Sequence, residues 1–212
     1  MKARSPVLPL MCSALLLFSI SPGRSQIVVT FDDFDLSHSY GYSTNIPNGY
    51  QGLNWTNFGV LNAILLSNAL EIGAAGYGYG MVTPSNVAFD VFGNPAEIDA
   101  RGTNFNFFSA YLTAAWNSNL CIDVQGFNGA SAVYDTIVYP SPTNATLYTF
   151  DYFDIDRLVF TPYGGEPAFG PPARENFAMD DFMFEFIPEP STFLLAAMGA
   201  VSLIAILRRR RT

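Results

Sequence analysis

An all-β fold, an antiparallel β-sandwich of jelly-roll-like order, is the class the chain predicts for residues 26–187. Three observations carry it. Aromatic residues are abundant, with 19 Phe and 11 Tyr, and such side chains suit a pleated, half-buried surface. Gly, Asn and Pro punctuate the chain at roughly ten-residue spacing, the rhythm of short strands and turns. No stretch sustains apolar residues at i, i+3 and i+4 between helix caps.

The elements follow in order. A first strand is expected over 27–31, closed by Asp32 and Asp33. The polar loop 35–50 contains Pro47, which presets a turn, and Gly49, which is free to take φ > 0. An extended run covers 52–58, with Leu53, Trp55 and Asn57 on one face. Residues 61–66 read as a short helical turn or a loop, and the glycine- and tyrosine-rich 73–80 as a mobile surface loop. Residues 86–92 alternate, with Val87, Phe89 and Val91 together. A longer apolar strand spans 105–115 and reaches Trp116. Over 120–124, Leu120, Ile122 and Val124 point inward, which places Cys121 and Asp123 outward. The turn 126–129 pairs this strand with 131–139 as an antiparallel hairpin. Strands at 145–150 and 155–161 precede a Pro/Gly-rich loop, and 176–187 closes the domain with Phe182, Phe184 and Phe186 facing one way. The total is about nine or ten strands, whose faces two packed sheets would bury.

Charge narrows the partners. Residues 26–187 carry seventeen carboxylates against Arg101, Arg157 and Arg174, a net charge near −14. Nucleic acid and anionic lipid are disfavoured as direct partners; a cation or a neutral glycan is compatible. One histidine, His38, has no second His to complete a zinc site. Cys121 is the only cysteine of this region, so an intrachain disulfide is ruled out. There is no nucleophile elbow, phosphate loop or zinc signature.

Two candidate sites emerge. The first is acidic: Asp32 and Asp33 close the first strand, and Asp180 and Asp181 lie in the last. First and last strands lying side by side would bring the four together, and Ca²⁺ takes six to eight oxygens of this kind. By period two, Asp180 shares the face of Phe182, where a carboxylate needs a metal or strong hydrogen bonds. Hydrogen bonds to loop amides are the alternative. The second is aromatic: Tyr40, Tyr42, Tyr50, Tyr77 and Tyr79 lie in loops beside Gly, Ser and Asn, where rings could stack on sugars. Trp55 and Trp116 read as core plugs.

The two ends are targeting segments. Lys2 and Arg4 precede an apolar stretch at 7–20, and Gly23 and Ser25 offer small residues to a signal peptidase, so cleavage is expected after Ser25. At the other end, Pro188-Glu189-Pro190 is followed by an uncharged apolar run to Leu207 and by Arg208, Arg209, Arg210 and Arg211. The run reaches about 25 Å as a helix, slightly short of the ~30 Å hydrocarbon core, and snorkelling arginines cover the difference. The arginines stay cytoplasmic, leaving the domain on the far side.

This tail resembles the PEP-CTERM sorting signal, with Pro188, Glu189 and Pro190 as signature, 191–207 as span and Arg208 to Arg211 as stop. The resemblance implies export through the inner membrane of a Gram-negative bacterium that makes exopolysaccharide. It also implies processing by exosortase and release to the cell surface or matrix. Three fragments, 31–33, 46–55 and 177–182, make the domain similar to the jelly-roll ectodomains of PEP-CTERM proteins, which are shaped like carbohydrate-binding modules. The expected function is a non-enzymatic module associated with exopolysaccharide. A secreted hydrolase of a matrix polysaccharide and a ligand-free coat protein are the alternatives. A flat aromatic face would favour the module; a carboxylate pair in a deep groove would favour the hydrolase.

Overall fold

The computed structural model describes residues 25–69 and 75–187, with Gly199 and Ser202 of the tail. The expected signal peptide, the Pro188-Glu189-Pro190 signature and the four terminal arginines lie outside the described residues. Among those described, no helix is long and apolar enough to cross a membrane.

Chain order begins with β1 (Ile27–Val29), β2 (Ser43–Asn45), β3 (Asn54–Thr56), β4 (Phe58–Asn62), α1 (Ala63–Ala69) and α2 (Gly76–Gly80). It continues with β5 (Asn86–Asp90), β6 (Ala96–Asp99), β7 (Phe105–Ala114), β8 (Asn117–Ser118), β9 (Cys121–Asn128) and β10 (Ser131–Val138). Last come β11 (Thr146–Ile155), β12 (Arg157–Tyr163), β13 (Glu166–Pro167) and β14 (Phe177–Phe186). Every pairing is antiparallel. A seven-stranded sheet runs β11-β7-β14-β5-β4-β2, with β1 also on β14; a five-stranded sheet runs β10-β9-β12-β6-β3. The sequence-predicted sandwich is therefore the observed fold. First and last strands are neighbours, as expected, with Val29 opposite Phe182.

The main core lies between the sheets. Phe58, Phe107, Phe160, Phe177, Phe182 and Phe184 are fully buried there, each ring worth on the order of 2–3 kcal/mol of apolar transfer. Trp55 packs edge-on to Phe31, Phe58 and Phe182, and its Nε1 donates to the Tyr50 carbonyl at 3.0 Å. It is the plug the sequence suggests. Trp116 is half-buried instead, under the guanidinium of Arg174.

A second apolar cluster, Leu61, Ala63, Tyr77, Val87, Ala115 and Ala178, lies on the other face of the seven-stranded sheet. It is roofed by the two helices, α1 over β4 and β5, α2 over β7 and β14. The ambiguous 61–66 segment thus resolves into the end of β4 and the start of α1. The expected mobile loop 73–80 is corrected in part: 76–80 form α2, pressed against β7. Gly76 explains the tight docking. A Cβ there would stand 1.9 Å from the Ala114 carbonyl oxygen, so only glycine lets the helix approach, while its N–H bonds Ala115 O at 2.9 Å.

The five-stranded sheet has no such roof. Among the described residues no helix packs on its outer face. The seven-stranded sheet is roofed over β4, β5, β7 and β14, while Leu147 and Phe153 of its edge strand β11 stay exposed; the five-stranded sheet presents a bare face to solvent.

Candidate functional site

The bare face is built by simple alternation. Inward Ile122, Val124, Leu158, Phe160 and Ile98 fill the core, so the residues between them point out. Register then sets the rows. Asp135, Gln125, Val159, Glu97 and Thr56 stand opposite one another across the five strands; Ile137, Asp123 and Thr161 form the next row, and Cys121 faces Tyr163. Tyr139 follows β10 at the same end and is 63 % exposed; Tyr163 is 41 % exposed.

Register sets Tyr163 opposite Cys121, and Tyr139 follows the Val138–Ile122 pair at the same end; the Tyr163 hydroxyl is raised in pKa by desolvation first and then by Cys121 and Tyr139. At the other end Arg157 lies 3.9 Å over the Phe127 ring and 3.3 Å from Glu97, a cation–π contact and an ion pair on one side chain. Between them Gln125 Nε2 donates to Asp135 Oδ2 at 3.1 Å. Asp123 is raised in pKa by desolvation and then by its neighbour Asp135. Its Oδ1 has no hydrogen-bond partner among the described residues. The face offers two exposed phenol rings and an amide on an open surface, with the Asp123 Oδ1 buried beneath it.

The aspartates expected to hold calcium do something else. Asp180 is fully buried. Its Oδ2 accepts the amides of Val82 at 2.8 Å and Thr83 at 3.0 Å, and its Oδ1 the amide of Asp181 at 2.8 Å. Asp32 Oδ1 accepts the amides of Ser85 and Asn86, and Asp181 accepts from the Thr83 hydroxyl at 3.2 Å. Three of the four thus converge on the 82–86 segment, Asp32 and Asp180 accepting its backbone amides and Asp181 the Thr83 hydroxyl. Asp33 stands apart and accepts from Tyr50. Among the described residues no group of three or more His, Cys, Asp or Glu is placed to hold a metal; what the structure shows around Asp32, Asp180 and Asp181 is an amide clamp. Burial still pushes the Asp180 carboxyl up to about 7.

The phase of Asp180 also departs from the sequence reading. Met179 and Phe177 face the main core, while Ala178 faces the helices. Asp180 shares the side of Ala178 rather than that of Phe182. Asp181 adopts φ 47° and the register against β7 shifts beyond Asp180, a bulge that turns every later side chain to the other face.

The tyrosine set divides. Tyr40 is fully exposed and Tyr79 is 52 % exposed, stacked on Phe169 with centroids 6.3 Å apart. Tyr42 is half-buried. Tyr50 is half-buried, donates to Asp33 Oδ1 at 2.6 Å and packs against Phe34 and Trp55. Tyr77 is corrected outright: it is buried in α2 against Phe89 and Trp116, because helical spacing turns it under while Tyr79 turns out. Sequence reasoning missed Tyr139 and Tyr163. The outward phase of Cys121 and Asp123 was the available signal, since strand alternation extends it to both tyrosines.

Residues 186–211 match the PEP-CTERM protein-sorting motif. The motif implies an exported chain that is transiently anchored in a membrane. No curated protein matches the chain. Among solved structures, a DUF4465 family protein from Bacteroides ovatus superposes with TM-score 0.46 at 10% identity, covering 77% of this chain and all of that one. A family 29 carbohydrate-binding module gives TM-score 0.38 at 10% identity over 77% of this chain and 93% of that one. TmCBM61, solved in complex with β-1,4-galactotriose, gives 0.34 at 11% identity over 71% of this chain and all of that one.

Proposed function

We propose, from the premise that the sorting motif exports the chain, that the sandwich is a non-enzymatic module that associates with exopolysaccharide outside a Gram-negative cell. Exosortase would process the tail near Pro188-Glu189-Pro190, and the domain would then act at the surface or in the matrix. The observation that carries the reading is the bare outer face of the five-stranded sheet. Tyr139 and Tyr163 present rings able to stack on the apolar faces of sugars, and Gln125, Asp123 and Asp135 supply donors and acceptors for hydroxyls between them. A net charge near −14 selects for a neutral or cation-bridged glycan over an acidic one.

The same face supports binding rather than cleavage. A glycosidase holds its two carboxyl groups on either side of a bound sugar bond, about 5–9 Å apart. Asp123 and Asp135 instead sit on adjacent strands of an open sheet. The experiment is co-sedimentation of the chain with the producing organism's exopolysaccharide. Pelleting that the Tyr139→Ala/Tyr163→Ala double substitution abolishes, with unchanged thermal unfolding, supports the reading. Pelleting indifferent to both tyrosines, or release of soluble sugar during incubation, would sink it.

A further inference from the structure

A cleft of about 270 Å³ opens at the rim where the edge strands of the two sheets, β2 and β3, meet. Its lining is Asn45, Ile46, Asn48, Trp55, Asn57, Phe58 and Val91. No titratable side chain is among them, in a domain dense with carboxylates. Three carboxamides converge there, on an aromatic and aliphatic floor.

The hydrogen bonds show what each amide has left to offer. Asn48 Oδ1 accepts the Trp55 amide at 3.0 Å, so its NH₂ remains as a donor. Asn57 Nδ2 donates to Pro95 O at 2.9 Å, so its Oδ1 remains as an acceptor. Asn45, exposed on its edge strand, contributes both groups. The backbone around them is pinned: Ile46 N donates to Phe58 O at 3.0 Å and Val91 N to Asn57 O at 2.8 Å. Asn57 takes φ 57°, a conformation asparagine tolerates better than most residues, and this turns the chain from β3 into β4. The site is therefore preformed, which lowers the entropy lost on binding.

We propose that this cleft is a second binding site, for a single neutral sugar ring. Alternating donors and acceptors match hydroxyls, which both give and take hydrogen bonds. Val91, the least buried apolar residue of the lining, matches the C–H face of a pyranose. An ion finds no countercharge, and the volume lies just under the ~300 Å³ at which pockets for larger ligands begin. Phe92, next to Val91 on the same turn and 89 % exposed, gives a longer glycan a ring to continue onto. The proposal rests on the glycan reading above for its ligand class, and differs from it in location.

The test is saturation-transfer NMR of the full chain in a detergent without a sugar headgroup, with the methyl glycosides of glucose, galactose and mannose as probes. Transfer to at least one probe is expected. It should weaken about tenfold in Asn45→Ala, the scale of one lost hydrogen bond, and should survive Tyr139→Ala/Tyr163→Ala. Asn45→Ala removes no described side-chain bond, so folding is preserved; Val91→Trp, which fills the cleft, is the second variant. No transfer to any probe overturns the proposal, as does transfer that survives both cleft substitutions. Transfer lost only with the two tyrosines overturns the cleft while leaving the sheet face standing.

Discussion

Replacing Asp180 by alanine should be among the most damaging single changes in the domain. The carboxylate is fully buried and accepts three backbone amides, from Val82, Thr83 and Asp181. A buried donor left without its acceptor costs about 1–3 kcal/mol. Val82 is 38 % exposed, so water can take up its amide and the lower end of that range applies to it. The expected loss is about 3–5 kcal/mol, measured as a fall in the urea midpoint of the folded chain by tryptophan fluorescence at pH 7.

The pH dependence provides a second reading of the same group. Burial lifts Asp180 from 3.8 to about 7, so the folded state holds a proton the unfolded state has released. Its contribution is fully present below pH 4 and lost as pH rises through about 7. Between pH 5 and pH 8 the loss is on the order of 3 kcal/mol, at 1.36 kcal/mol per unit. Wild type should therefore be more stable at pH 5 than at pH 8, and the alanine variant should show a smaller difference. An unchanged midpoint, or an identical pH slope in the variant, would refute the amide-clamp argument.

Other outcomes follow from the same geometry. Gly76→Ala should destabilise by about 2–3 kcal/mol or more, since its Cβ would meet the Ala114 carbonyl at 1.9 Å; thermal unfolding reads it. Asp90, pushed up to about 8 by burial, should add to the preference for mildly acidic pH, and Asp90→Asn should flatten the stability profile between pH 5 and 8. Chelator should leave the melting temperature and the exopolysaccharide pelleting unchanged, because the oxygens of Asp32 and Asp180 already accept amides; a shift of several degrees would restore the calcium site. Replacing Arg157 by Met should cost about 1 kcal/mol or less, since its pairing with Glu97 is solvent-screened.

Much of this architecture was legible in the residues, and the exceptions have physical causes. Alternation through Leu120, Ile122 and Val124 gives β9 its phase, and the 126–129 turn gives its hairpin, because one strand face must be buried. The reading of Asp180 failed at a bulge, which a period-two pattern has no means to register. Tyr77 failed because a five-residue, glycine-rich helix has almost no propensity signal; its docking depends on the missing Cβ at Gly76. The bare sheet face was hidden for a different reason. Which sheet is roofed is decided by where α1 and α2 dock, a long-range property that no local pattern of β9, β10 or β12 encodes.

The central claim is that glycan meets this chain on the open face of the five-stranded sheet. Hydroxyl-radical footprinting of the chain with and without exopolysaccharide tests it most directly, because its tyrosines divide cleanly by location. Protection of Tyr139 and Tyr163, with Tyr40 and Tyr79 oxidised as in the free chain, is the predicted result. Protection confined to Tyr40 and Tyr79 would move binding to the loops, and no protection at all would contradict the account.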